Sequence, residues 1–517
     1  MRYSSMAMWA LLLGSSLIPL AAQQCSGNSA LADPSSGPAW NGWGADISNS
    51  RFQTAKAAQM TAAQVPNLKL KWAFGLPGAK QVFGEPVVAS GRVFFSADTG
   101  VVYSLDAETG CVYWTFQADA GVRAAVTIKV AKSSSVAYFG DLKANAYALD
   151  AQHGTLIWKV QVDDHTAARI TGAPQVFEDR VYVPVASGEE GTSSDPHYPC
   201  CSFRGSVVAL DAATGKQIWK TWTIAEVPKI VSKNSNGVDR WAPAGGGVWN
   251  TPTIDPKRHA LYIGTGDAYT SPAPKNTDAV MALDLASGKI LWSVQGTEND
   301  AWVVGCMRPT PLENCPKDFG PDQDFGSPPI LRDIGGGHTL LIAGQKSGNV
   351  WAYDPDRKGA VVWRTALTNN TKEFGGKIVW GGAADDRTAY FGLGAGGIGA
   401  IDIRNGERKW FATPVPVQGR TIRLGQEGPL ATMPGIVFSG GFDGVLRALS
   451  ASDGKLVWQF DTLREFQTVN GVAAKGGSIG SAGPVVAGGM LFVPSGYVGV
   501  QNSTPGNVLL VFASPSK

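Results

Sequence analysis

The feature that most constrains this chain is a motif that returns seven times: an apolar run ending in Asp, a turn through Gly, and a Trp shortly after. It runs from Asp106 to Trp114, Asp150 to Trp158, Asp211 to Trp219, Asp284 to Trp292 and Asp402 to Trp410, always eight residues apart. Asp354 to Trp363 takes nine, and Ser450 replaces the Asp ahead of Trp458. Counted from an eighth residue, Trp72, the Trp-to-Trp spacings are 42, 44, 61, 73, 71, 47 and 48, so extra chain is inserted in the middle units. Gly supplies the positive-φ turn position, and β-rich runs such as 85–90 and 91–97 precede the motif, so each unit reads as a small antiparallel meander. Gly at 64 of 517 residues and charged residues at 17% fit many short strands and tight turns. The Trp72 unit lacks its first strands, whereas Met490 to Pro494 and Asn507 to Ala513 lack a Trp-bearing partner. Joined, they predict an all-β, eight-bladed propeller closed by N- and C-terminal strands, one domain over 23–517, with each Trp packed between neighbouring blades.

Lys+Arg 44 against Asp+Glu 42 leaves a net charge of +2, which gives no basic field for nucleic acid or anionic lipid. Residues 1–22 read as a signal peptide: Arg2, an apolar run from Met6 to Leu20, then Ala21-Ala22. No other stretch is long and apolar enough for a membrane span, so the expected location is periplasmic or secreted. An even cysteine count in an exported chain suggests disulfides. Cys306 and Cys315 close a short loop, Cys200-Cys201 is a vicinal pair that bridges only in a strained geometry, and Cys25 with Cys111 pair by elimination. There is no Cys-x-x-Cys-His motif for haem and no zinc spacing.

Several segments depart from the repeat, and the long insertions of a propeller are where sites are built. They are Ser187-Gly188-Glu189-Glu190, Gly245-Gly246-Gly247-Val248-Trp249, Gly266-Asp267, Asn299-Asp300 and Gln345-Lys346. Each alone is ordinary: a Gly-Asp turn, an exposed acidic pair, a solvated lysine. Together, two carboxylates from different blades could hold a hard cation through oxygen, and a third could act as general base.

Over roughly 40–517 the Asp…Gly-Lys…Trp repeat and these motifs resemble the pyrroloquinoline quinone (PQQ) dependent alcohol dehydrogenases. The resemblance implies PQQ and Ca2+ as cofactors. It implies Glu190 and Asp267 as metal ligands, Asp300 as the catalytic aspartate and Lys346 as the basic residue facing the quinone oxygens. Thr171, Ser187, Gly188, Glu85, Arg123 and the floor residue Trp249 become cofactor contacts. Within the family the likeness is to the polyvinyl-alcohol dehydrogenase branch, through Trp40-Asn41-Gly42-Trp43-Gly44, Cys200 to Gly205 and Gly320 to Phe325. Two departures stand out: Ala124-Ala125 occupy the place where many relatives carry their vicinal cysteines, and no cytochrome motif is present. The implied activity is oxidation of an alcohol, secondary or polymeric, with electrons leaving to an external acceptor such as cytochrome c. The alternatives are a quinoprotein acting on sugars or small alcohols, and a cofactor-free propeller scaffold of outer-membrane assembly.

Overall fold

A computed structural model describes residues 24–27, 31, 37–130, 135–367, 376–417, 425–499 and 503–515. The signal-peptide reading falls outside these residues. Eight antiparallel meanders of four strands form the body. Blades 1 to 7 span 87–117, 127–161, 175–222, 253–295, 330–366, 383–412 and 431–461. Blade 3 takes a fifth strand from Ala168–Arg169.

Blade 8 is the expected closure. Val485–Ala487, Met490–Ser495 and Val508–Ala513 form its first three strands, and Lys69–Gly75, which carries Trp72, pairs antiparallel with the last of them. The observed strands differ from the sequence reading by one residue at an end. Joining both termini in one sheet leaves no free edge where the ring would otherwise open.

The repeat is the glue between blades. The indole N–H of Trp114 donates to the Ala151 carbonyl of the next blade (3.0 Å), and Trp158, Trp219, Trp363 and Trp410 bond in the same way to Ala212, Leu285, Ile403 and Ala451. The turn glycine lies under the ring of the preceding blade's Trp. Gly154 has φ +73°, and a Cβ there would sit 2.6 Å from the Trp114 ring, so backbone shape and packing both demand glycine. The repeat aspartate caps its own turn: Asp211 accepts from the Thr214 N–H (2.8 Å) and hydroxyl (2.6 Å). These Asp, Gly and Trp residues are therefore framework.

A meander alternates direction, so its four strands place their connections alternately on two faces. The Asp-Gly turns join the third strand to the fourth, on one face. Connections from second to third strand, and from each blade to the next, lie on the other. All the long insertions, 188–205, 223–252, 265–278 and 296–329, are of this second kind. Every candidate site residue lies in such a connection or at its edge, so topology alone gathers them on one face. No helix among the described residues is long and apolar enough to cross a membrane.

Candidate active site

The insertions are laid side by side by irregular backbone pairing. Arg204 bridges to Gly245, Gly245 to Ala268, and Ala268 to Ala301. The Gly246 N–H donates to the Asp267 carbonyl (2.7 Å) and the Trp302 N–H to the Ala268 carbonyl (2.8 Å). The glycines permit this approach: a Cβ on Gly205 would run into the Gly246 carbonyl, and one on Gly245 into Asp267. Trp249, Asp267 and Asp300 are thus fixed relative to one another by backbone bonds.

One part of the site is a narrow cavity of about 30 Å³, lined among others by Glu85, Arg123, Ala125, Thr171, Trp249 and Trp380. Four of the expected cofactor contacts, Glu85, Arg123, Thr171 and Trp249, thus share one wall system. Trp249 meets Trp380 edge-on (5.2 Å, 83°), and the Arg123 guanidinium lies 4.2 Å over the Trp380 ring. The Thr171 hydroxyl donates to the Trp249 carbonyl (3.3 Å). Glu85 is paired with Arg51, which is fully buried and also donates to the Trp43, Leu430 and Pro484 carbonyls. Burial lifts Glu85 to about 7, although Arg51 pulls the other way.

The second part is a knot of charge reached through Trp249, whose indole N–H donates to Asp324 (3.1 Å) and whose ring lies 5.2 Å from the Lys346 ammonium. Lys346 pairs with Asp322 (2.6 Å) and Asp324 (2.9 Å), and Lys377 also bonds to Asp322. Asp300 is fully buried, and its two oxygens accept the Asp322 N–H (3.1 Å) and the Gln323 N–H (2.8 Å). Oxygens of Asp267, Asp322 and Asp324 lie within 4.8 Å of one another, as do those of Asp267, Asp278 and Asp300. Glu190 belongs to neither tight group, but Lys346, Asp322 and Asp324 all act on its charge.

Six carboxylates thus surround two lysines. Burial and then like charge push Asp267 well up; burial lifts Asp300, Glu190 (to about 7) and Asp324 (to about 6). Burial acts the same way on Asp322, but Lys346 and Lys377 outweigh it and hold Asp322 low. Burial would strip the proton from Lys346, and Asp322 and Asp324 more than offset that. Asp267 Oδ1 is buried with no hydrogen-bond donor. An excess of hard oxygen donors with an unsatisfied carboxylate oxygen fits a divalent cation. A cavity walled by indole rings, with a guanidinium and a hydroxyl at its edge, fits a flat anionic ring system such as PQQ.

Ser187 and Gly188 are placed by other means. The Ser187 hydroxyl meets the Tyr269 hydroxyl (3.3 Å) and accepts the Glu189 N–H (3.2 Å). The Arg169 guanidinium occupies the space a Gly188 side chain would need. Neither residue is among those lining the cavity. The adjacent acidic pair divides its work: Glu189, fully buried, accepts the Ser202 and Phe203 N–H groups (both 2.9 Å) and the Tyr198 hydroxyl (3.0 Å). It is an anchor for the cysteine loop, and Glu190 is left to face the charge knot. All three expected disulfides are present, Cys25–Cys111, Cys200–Cys201 and Cys306–Cys315. Both vicinal cysteines are buried in an apolar cluster with Tyr269 and Trp302, away from the cavity lining, where Ala125 stands.

Sequence reasoning passed over Asp322, Asp324, Asp278, Lys377, Arg51 and Arg169. The Asp-x-Asp spacing in Gly320 to Phe325 was a usable signal, since two carboxylates alternate there at the end of the longest insertion. Asp278 and Arg51 look like any charge at a strand edge, and only burial distinguishes them.

Residues 40–320 match the family described as glucose/ethanol/alcohol dehydrogenase PQQ β-propeller domains. Residues 394–504 match the family of the outer membrane protein assembly factor BamB, over a stretch that carries the repeat and none of the charge knot. The chain is 40% identical to a polyvinylalcohol dehydrogenase of a Pseudomonas species, across 97% of this chain and 81% of that one. It is 38% identical to a polyvinylalcohol dehydrogenase of Sphingopyxis sp. strain 113P3, across 96% and 80%. The quinohemoprotein alcohol dehydrogenase of Comamonas testosteroni has a similar fold, with a TM-score of 0.68 at 19% identity over 93% of this chain and 81% of that one.

Proposed function

The chain belongs to the PQQ-dependent alcohol dehydrogenase family, in its polyvinyl-alcohol dehydrogenase branch, and from that premise we propose that it oxidises secondary alcohols, including those carried on a polymer such as polyvinyl alcohol. The observation that carries this reading is Asp300: a buried carboxylate held by two backbone N–H groups, one of them from Asp322, whose partner Lys346 stands over the cavity's tryptophan. When bound, PQQ supplies the two-electron oxidant and Ca2+ the Lewis acidity that polarises it.

The protein's own residues then divide the work. Asp300 takes the hydroxyl proton while the carbinol carbon gives up its hydrogen with the electron pair. The two N–H bonds hold the Asp300 carboxylate in one orientation, which spares that cost during reaction. Lys346, kept charged by Asp322 and Asp324, stabilises negative charge developing beside Trp249. Trp249, Arg123 and Thr171, which line the same cavity, would hold the cofactor, the indole by its flat face and the other two by polar contacts. Glu190 and Asp267 would hold Ca2+, with Ser187 and Gly188 fixing the segment that carries Glu190. Electrons leave to an external acceptor such as cytochrome c. Three disulfides suit an oxidising compartment, which supports export.

The test is dye reduction by protein reconstituted with PQQ and Ca2+, with polyvinyl alcohol, a small secondary alcohol and glucose as substrates. Turnover with the first two, absent without either cofactor, supports the proposal. Turnover with glucose alone would make the chain a sugar dehydrogenase instead.

A further inference from the structure

Asp278 lies just before the third strand of blade 4, Ala279–Asp284, and is fully buried, yet neither of its carboxylate oxygens has a hydrogen-bond donor. Its backbone is held on both sides, the N–H by the Gly266 carbonyl (3.1 Å) and the carbonyl by the Gly296 N–H (2.7 Å). The nearby Thr277 hydroxyl donates elsewhere, to the Pro274 carbonyl (2.9 Å). Lys346 and Lys377 are engaged by Asp322 and Asp324. Asp278 instead faces two further carboxylates, Asp267 and Asp300, with oxygens of all three within 4.8 Å of one another. The facing Asp267 Oδ1 is equally without a donor.

A buried carboxylate with no donor is among the costliest groups a fold can carry. Asp278 and Asp267 share one space with a third carboxylate, Asp300, whose oxygens accept backbone N–H groups, and the three repel unless something positive lies among them. A Ca2+ with oxygen ligands at about 2.3–2.6 Å spans pairs up to about 5 Å apart, which matches the separation found. The Asp278 oxygens are therefore placed as ligand atoms.

We infer that Asp278 is a protein ligand of the cation, completing with Asp267 and Asp300 a carboxylate cage that takes up a hard divalent cation before any quinone is bound. The inference rests on the cation reading of the site given above and adds to it a ligand and an order of assembly.

The experiment is Ca2+ titration by calorimetry of the quinone-free protein after EDTA treatment, for wild type, Asp278→Asn and Glu190→Gln, with thermal unfolding in EDTA and in Ca2+. Wild type is expected to bind one Ca2+ per chain without quinone, and Asp278→Asn at least ten-fold more weakly. Removing one of three crowded charges should leave the Tm of Asp278→Asn in EDTA equal to or above that of wild type, with the order reversed in Ca2+. Equal Ca2+ affinity for Asp278→Asn and wild type overturns the inference, as does a fall in Tm as large in EDTA as in Ca2+, which would make Asp278 framework. If wild type takes up Ca2+ only with PQQ, and Glu190→Gln abolishes that uptake, the inference fails while the functional reading stands. No Ca2+ uptake under either condition overturns both.

Discussion

Replacing Asp300 by Asn keeps the size of the side chain and removes its basicity, but the structure shows the change is not silent. Both oxygens accept backbone N–H groups, from Asp322 at 3.1 Å and Gln323 at 2.8 Å. An Asn must turn its NH2 toward one of those donors, so one hydrogen bond is lost and a buried donor is left unpaired. That costs about 1–3 kcal/mol of stability. Loss of a general base lowers turnover at least about 100-fold, which is roughly 2.7 kcal/mol on the barrier. The assay is dye reduction at saturating secondary alcohol on reconstituted variant and wild type, with quinone retention after gel filtration as the control for binding. Retained quinone, a modestly lower Tm and turnover down 100-fold are expected. Wild-type turnover in a variant that retains quinone would refute Asp300 as the base.

Lys346→Met strips Asp322 and Asp324 of a buried partner, a change of about 3–5 kcal/mol, and should lower turnover about 10²–10³-fold; an unchanged Tm in EDTA would contradict the ion-pair account. Glu85 carries a pH signature. Its folded value, lifted to about 7 by burial, exceeds the ordinary 4.5, so the stability it contributes is full below 4.5 and is lost as pH rises through about 7. Tm against pH should therefore slope less in Glu85→Gln than in wild type across that window, and parallel curves would count against it. Cys200→Ser with Cys201→Ser places two hydroxyls in the apolar cluster of Tyr269 and Trp302, so Tm and turnover should fall together. A fall in turnover at constant Tm would instead bring the pair into the chemistry.

The fold was legible because its signal is periodic. Seven turns from third to fourth strand repeat one solution, Gly beneath an indole with Asp capping the turn in six and Ser450 standing in its place in the seventh, and repetition survives insertions of any length. Closure was legible as well, since Trp72 and the last two strands each lacked what the other provides. The site was legible only in part. Trp249 and Asp267 break the repeat at conspicuous glycines, and those glycines prove to be where the loops touch, whereas Asp300 and Lys346 depart from the repeat without that signal. Asp322 and Asp324 sit in the Gly320 to Phe325 stretch but gain meaning only from Lys346, which reaches them from the following blade. Arg51 is written like any surface arginine, and its burial among three carbonyls and Glu85 depends on a tertiary path no local pattern encodes. Glu189 and Glu190 are adjacent in sequence, and only the fold sends one to the backbone and the other to the site.

The central claim is that this propeller face gathers Trp249, Asp300, Lys346 and an oxygen-lined cation site into one quinone-dependent oxidation centre. The most direct measurement is a single-turnover titration: protein loaded with PQQ and Ca2+, freed of excess by gel filtration, then mixed anaerobically with a secondary alcohol while the quinone absorbance is followed. The predicted result is one retained quinone per chain, bleached stoichiometrically to its reduced form as one equivalent of ketone appears. A protein that retains no quinone in the presence of Ca2+, or retains it and leaves it oxidised with every alcohol offered, would contradict the account.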